Sequence, residues 1–261
     1  MKKFAMALCA LTVGTATASA ADLPARTYSK APTMPVVAVY DWSGVYIGGN
    51  IGGGWSNTDM TSTVSDGAIA WPDLAPGQGI RYNNNGLVGG GHVGVNFQSN
   101  SWVYGLELLV SAADIKASVR DPYIGPPFSA GDDVFSTKIN TLLLATARIG
   151  YAWDRSLLYA KGGYAGANVR LSVSDTVCLP DCGAGSYSNW RSGFTVGAGI
   201  EYAVTNNVIV GIEYDFARLG SASVNLGDAN ARYVLNDAER NVNMVLGRVS
   251  YKFGSPVVAK Y

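Results

Sequence analysis

Two neighbouring segments in the C-terminal half alternate strictly between apolar and small or charged residues. In the first, Val208, Val210, Ile212, Tyr214 and Phe216 share one parity, and Gly211, Glu213 and Asp215 hold the other. In the second, Phe194, Val196, Ala198, Ile200 and Tyr202 alternate with Gly193, Thr195, Gly197, Gly199 and Glu201. A strand turns successive side chains to opposite faces, so each segment has one apolar and one polar face. A soluble sheet can also alternate. Here the polar parity consists of glycines and full charges, and the apolar parity ends in aromatics. That combination predicts a transmembrane β-barrel with lipid outside and a polar lumen inside. A soluble lipocalin-like barrel would reverse the two faces. Periodicity alone cannot distinguish them; interfacial aromatics and unequal connections favour the membrane.

The N-terminus reads as an export signal over residues 1–20. Lys2 and Lys3 precede a short apolar stretch, and Ala18, Ser19 and Ala20 supply a small-x-small cleavage site. Beyond it no apolar run reaches the length of a membrane helix, so a membrane reading requires a closed barrel. The sequence of 261 residues has 32 glycines, 15 tyrosines, 6 tryptophans and only 15% charged residues, which suits a barrel with aromatic girdles. The formal net charge is zero, and nothing points to nucleic acid.

Residues 21–41 contain Pro24, Pro32 and Pro35 and no clean period, as expected of an extended periplasmic leader. The barrel is expected over 42–253, with a C-terminal tail over 254–261. Eight strands are predicted, at 42–55, 86–97, 102–113, 138–151, 157–171, 190–202, 208–216 and 242–253. The connections 98–101, 152–156 and 203–207 are short; 56–85, 114–137, 172–189 and 217–241 are long and polar. The expected fold is therefore all-β: an eight-stranded antiparallel transmembrane barrel with short periplasmic turns and four long extracellular loops. The glycine-rich run over 48–54 lacks the Lys-Ser/Thr and helix of a phosphate loop, and is read as relief of crowding in a narrow barrel.

The leader ADLPARTYSKAP, the block YDWSGVYIGGNIGGGW over 40–55 and the ending GRVSYKF over 247–253 carry a resemblance. Together they resemble the small outer-membrane β-barrel family of Brucella and rhizobia, described as porin-like with an OmpA-type eight-stranded domain. The resemblance spans essentially the whole mature chain. It implies outer-membrane lipid and the barrel-assembly machinery as partners, the latter reading Tyr251 and Phe253 near the end of the last strand. This chain departs by continuing from Gly254 to Tyr261. Relatives are linked variously to hemin binding and to envelope integrity.

Counted upward from the periplasmic ends, His92, Glu107, Arg148, Lys161, Glu213 and Arg248 share the inward parity at similar height. Buried charges need partners, so a lumenal charge network is expected, with Arg148 diagonal to Glu107. It reads as a plug, since eight strands enclose little more than their own side chains; an ion path or gate is the alternative. His92, the only histidine, reads as a lumenal hydrogen-bonding residue. No serine can be assigned beside it for a catalytic set, and a haem would need it accessible. Cys178 and Cys182 flank Leu-Pro-Asp in the third long loop, a spacing compatible with a disulfide in an exported chain. Trp42, Phe97, Trp102, Tyr104, Tyr151, Trp153, Tyr202, Tyr251 and Phe253 should form the periplasmic girdle. Trp55, Trp190, Tyr214 and Phe216 should form the outer one, and Trp71 lies in the first loop. The expected role is structural: no enzyme and no cofactor, with loops free for a surface ligand or host contact. A small-solute or ion porin and a haem-binding surface protein are the alternatives.

Overall fold

The computed structural model describes residues 40–66, 76–120, 133–175, 184–225, 232–238 and 240–254. The export signal, the leader up to residue 39, Trp71, Cys178, Cys182 and the tail beyond Gly254 lie outside the described residues. Ten strands run in chain order: β1 (Gly44–Asp66), β2 (Gly79–Ser99), β3 (Trp102–Arg120), β4 (Asp133–Trp153), β5 (Ser156–Asp175), β6 (Ala184–Ala203), β7 (Val208–Leu219), β8 (Ala222–Asn225), β9 (Arg232–Asp237) and β10 (Arg240–Phe253). From β1 to β7 each strand pairs antiparallel with the next; β7 then pairs with β10. β10 returns to β1 from Val45↔Phe253 to Ser56↔Val242, closing a ring of eight strands. Among the described residues, closure pairs the lower part of every ring strand on both sides, as a lipid-spanning sheet requires.

At one end the connections are tight. Asn100 and Asp154 take left-handed φ values of 53° and 52° in two of them, a conformation that Asn and Asp tolerate better than other side chains. At the other end the sheet outgrows the bilayer. A tilted strand crosses in about 9–11 residues, whereas β3 has 19, β4 21, and β5 and β6 20 each. The long connections are therefore shorter than the sequence suggested, because β1 continues to Asp66 and β2 begins at Gly79. Above the membrane the outward residues are Ser, Thr, Asn and charges, so the lipid-facing period that marks a spanning strand disappears while pairing continues. β8 and β9 continue β7 and β10 as a short hairpin. β9 pairs with the upper end of β1, so beyond the Gly220 N–H bond to the Ser192 carbonyl the described part of β6 has β5 as its ladder partner.

The lipid face is the apolar parity: Ile212 is 62% exposed and Glu213 is fully buried. The lumen differs from the polar interior expected. It is stacked in layers, and β3 samples them in order: Val103 at the periplasmic mouth, Glu107 in a charged layer, Leu109, Ala113 and Ile115 in an apolar layer, then Val119 against an upper apolar cluster. β4 and β5 follow the same sequence through Arg148 and Lys161 to Leu144, Leu142 and Ile139, and to Ala165, Ala167 and Val169.

Trp42 also departs from expectation. It is wholly buried at the mouth, edge-on to Tyr40 with ring centroids 5.0 Å apart, rather than in the girdle. Its position shares the inward parity of Tyr46 and Asn50, whereas Val45 and Ile47 face lipid, so the alternation of β1 carried below Gly44 sets it on the lumen side.

Candidate functional site: a sealed charge layer

The charged layer is built from inward positions on β3, β4, β5, β6, β7 and β10. Arg248 lies at its centre. Its guanidinium grips both oxygens of Glu107, with Nη1 donating to Oε1 at 3.0 Å and Nη2 to Oε2, and it also donates to Glu213 Oε2. Lys161 Nζ donates to Glu213 Oε1 at 2.7 Å and to Glu107 Oε1 at 3.4 Å, and pairs with Asp215 Oδ1 at 3.1 Å. Two tyrosines complete the carboxylates: Tyr46 donates to Glu107 Oε2 at 2.8 Å and Tyr159 to Glu213 Oε2 at 2.5 Å. Arg148 donates through Nε to Asn96 Oδ1 at 2.9 Å and through Nη1 to Glu201 Oε1 at 3.1 Å. Its guanidinium carbon lies 4.6 Å from the ring centre of Tyr46 and 5.0 Å from that of Tyr159, within cation–π range. Each ionic side chain of the layer is almost completely buried.

The structure thus brings Glu107, Arg148, Lys161, Glu213 and Arg248 together, but partner choice differs from the register argument. Arg148 and Glu107 approach only to 3.7 Å, without a hydrogen bond. Glu107 instead engages Arg248 across the closure of the ring. A diagonal pair on adjacent strands is readable from register; a contact made through barrel closure is not. Five participants were not identified from sequence as part of the network: Glu201, Asp215, Tyr46, Tyr159 and Asn96. Glu201 and Asp215 already stood on the polar parity of their strands, which was the available signal. With them, four carboxylates face three cations, and the layer carries one formal negative charge.

His92 faces the lumen and is 3% exposed. Its Nε2 hydrogen-bonds Ser250 Oγ at 2.8 Å. The sequence left no serine assignable beside His92, because the two residues sit on β2 and β10, on either side of β1. Both register with the same residue, Gly48. A Cβ on Gly48 would collide with the Val249 carbonyl and fall 2.5 Å from His92 Nε2, so both the backbone packing and the imidazole require glycine there. Among the described residues Nδ1 of His92 has no hydrogen-bond partner, and the pair is walled into the lumen. Hence no acid among the described residues hydrogen-bonds this imidazole, and its ring is buried.

The periplasmic mouth is closed by the chain that precedes β1. Tyr40 and Trp42 pack with Val103, Ala152, Leu157, Tyr159, Ala203 and Ile209. Lys252 Nζ donates to the Asp41 carbonyl and lies 4.4 Å from the Tyr40 ring centre. Burial pushes the Tyr40 hydroxyl up to about 12, against the pull of Arg155, and that hydroxyl donates to the Asn206 carbonyl at 3.2 Å. Tyr251 and Phe253 end β10 on the outer wall, half-exposed, with ring centroids 5.0 Å apart.

A closed antiparallel ring with an apolar outer belt and aromatics at its margins defines a transmembrane β-barrel. The outer membrane protein beta-barrel domain family matches residues 6–253, and the chain belongs to that family. It is 27% identical over 253 residues to a 25 kDa outer-membrane immunogenic protein of Brucella abortus, covering 97% of this chain and 99% of that one. A 31 kDa outer-membrane immunogenic protein of Brucella melitensis is 30% identical over 231 residues, covering 85% and 88%. A 22 kDa outer membrane protein of Rhizobium leguminosarum is 28% identical over 200 residues, covering 75% and 73%. Among solved structures, the outer membrane protease OmpT from Escherichia coli matches with a TM-score of 0.50 at 14% identity, over 85% of this chain and 99% of that one, a likeness of fold. The protein is an outer-membrane β-barrel.

Proposed function

We propose that this barrel is a structural component of the outer membrane, closed to solutes, non-enzymatic, and presenting its outer loops at the cell surface. The observation that carries the reading is the filling of the lumen. The Tyr40–Trp42 plug, the charged layer around Arg248, and the apolar layer of Leu109, Ile115, Ile139, Leu142 and Leu144 lie one above another. An ion path needs water and loosely held charges along its length. Here each cation of the layer is bonded to a carboxylate, and an apolar stratum separates the layer from the outer mouth. The half-exposed Tyr251 and Phe253 support recognition by the assembly machinery.

The test is conductance. Folded protein inserted in a planar bilayer is expected to match the empty-bilayer control over a wide voltage range. Insertion is checked independently by the altered mobility of unheated protein on a detergent gel. Stable, large unitary steps from the wild-type barrel would replace this reading with the porin.

A further inference from the structure

On the outer wall, β3, β4 and β5 place three cations side by side. Lys116 is directly opposite Lys138, and Lys138 directly opposite Arg170. The row continues on either side with Asn85 on β2 and Ser188 on β6, both exposed. Like charges directly opposite one another destabilise a sheet. One acid lies within the row: Asp114 accepts from Lys116 at 2.9 Å and pairs with Lys138 at 2.8 Å. Arg170 has no ion-pair partner among the described residues, so the row keeps two uncompensated positive charges. The contrast with β1 and β2 is informative, because there Arg81 is matched directly by Asp59.

The height of the row identifies what it meets. With the ordinary rise and tilt of barrel strands, Lys138 lies about 33 Å above Tyr151, Lys116 about 35 Å above Trp102, and Arg170 about 30 Å above Leu158. The apolar belt of such a barrel is about 25 Å tall. The row therefore stands just beyond the belt, at the headgroups of the outer leaflet. Below it the outward residues return to lipid-facing types, including Val110, Leu143 and the aromatic pair in which Trp190 Nε1 donates to Tyr164 Oη at 3.0 Å. Three strands span about 10 Å laterally, enough for one phosphorylated saccharide headgroup.

We propose that Lys116, Lys138 and Arg170 form a docking site on the barrel wall for the phosphate of an outer-leaflet glycolipid, with Asn85 and Ser188 flanking it as hydrogen-bonding groups. The acyl chains of that lipid lie against the wall beneath. The like-charge row is then balanced in the membrane by its ligand rather than by a second acid from the protein.

The experiment compares full-length folded protein in phosphatidylcholine vesicles containing bis-phosphorylated lipid A with the same protein in vesicles containing the dephosphorylated glycolipid. Bound glycolipid is counted by native mass spectrometry after gentle extraction. Wild type is expected to retain the phosphorylated form selectively, with retention falling as salt rises. Each cation near an anionic headgroup is worth about fivefold in binding, so the triple variant Lys116→Gln, Lys138→Gln, Arg170→Gln should lose at least about twentyfold. Arg81→Gln should retain the lipid as wild type does, and unheated gel mobility confirms that each variant is folded. Equal retention of the two glycolipids by wild type, or undiminished retention by the folded triple variant, overturns the proposal. Displacement by millimolar inorganic phosphate that itself binds the detergent-solubilised wild type equally well would mark a free-phosphate site and overturn the lipid assignment.

Discussion

The most exacting test of the lumen is the unequal cost of removing Arg248 and Glu107. Arg248→Met deletes the group that holds both Glu107 and Glu213. Glu107 would then keep Tyr46 at 2.8 Å, Lys161 at 3.4 Å and Arg148 at 3.7 Å, while Glu213 would keep Lys161 at 2.7 Å and Tyr159. Four buried carboxylates would face two cations. Breaking a buried pair in this way typically costs about 3–5 kcal/mol. Glu107→Gln is nearly isosteric and removes the excess negative charge, leaving three carboxylates and three cations. Its cost should be nearer the ~1–3 kcal/mol of an impaired buried hydrogen bond. The double variant should cost less than the sum, with a coupling within the ~0.5–3 kcal/mol range of residues in contact. The corresponding cycle for Glu107 and Arg148 should give a smaller coupling, because that pair is longer and lacks a hydrogen bond. The assay is urea unfolding from lipid vesicles, followed by tryptophan fluorescence and by the folded fraction on unheated detergent gels. If Glu107→Gln costs as much as Arg248→Met, or if the Glu107–Arg248 cycle is additive, the charge ledger described above is wrong.

Two further outcomes follow from the same geometry, and a third from the spacing of two cysteines outside the described residues. Ile212→Arg puts a cation on the lipid face near mid-membrane and should destabilise by about 2–4 kcal/mol in lipid; a harmless substitution in the same unfolding assay would mean the two faces are reversed. Gly48→Val drives a side chain into the Val249 carbonyl and the His92 ring, and overpacking of this kind costs about 1–3 kcal/mol; His92→Ala in the same chain should recover only the share due to the ring, and no recovery would assign the whole cost to the backbone contact. Cys178 and Cys182 are expected to resist alkylation until reduced, with a stabilisation below the ~3 kcal/mol of a fifteen-residue loop; two freely alkylated thiols in the unreduced, exported protein would rule the bond out.

What could be read from the sequence follows from how each face is used. β7 was legible because its lower half carries large apolar residues outward and Glu213 and Asp215 inward, giving a clean period of two. β3 and β4 were harder. Leu106, Leu108 and Val110 face lipid while Leu109 faces the lumen, and Leu142, Leu143 and Leu144 put two of three leucines inside. When both faces are apolar the alternation disappears from the letters, and the apolar stratum of the lumen disappears with it. Inward charges were still visible by parity, but not their partners, since Arg248 and Glu107 stand 141 residues apart and meet only because the ring closes. A second signal lay in the glycines. A Cβ on Gly94 would collide with the Tyr46 hydroxyl, one on Gly197 with Asp215, and one on Gly199 would fall 2.5 Å from the Tyr159 hydroxyl. In so narrow a barrel, Tyr46, Asp215 and Tyr159 each occupy space that a neighbouring strand leaves by having no side chain there. The inward glycines of β2 and β6 are thus a negative image of the charge network. A sequence search for small inward residues one strand away from inward Tyr, Lys, Arg or Glu would have recovered Tyr46, Tyr159 and Asp215 without the structure.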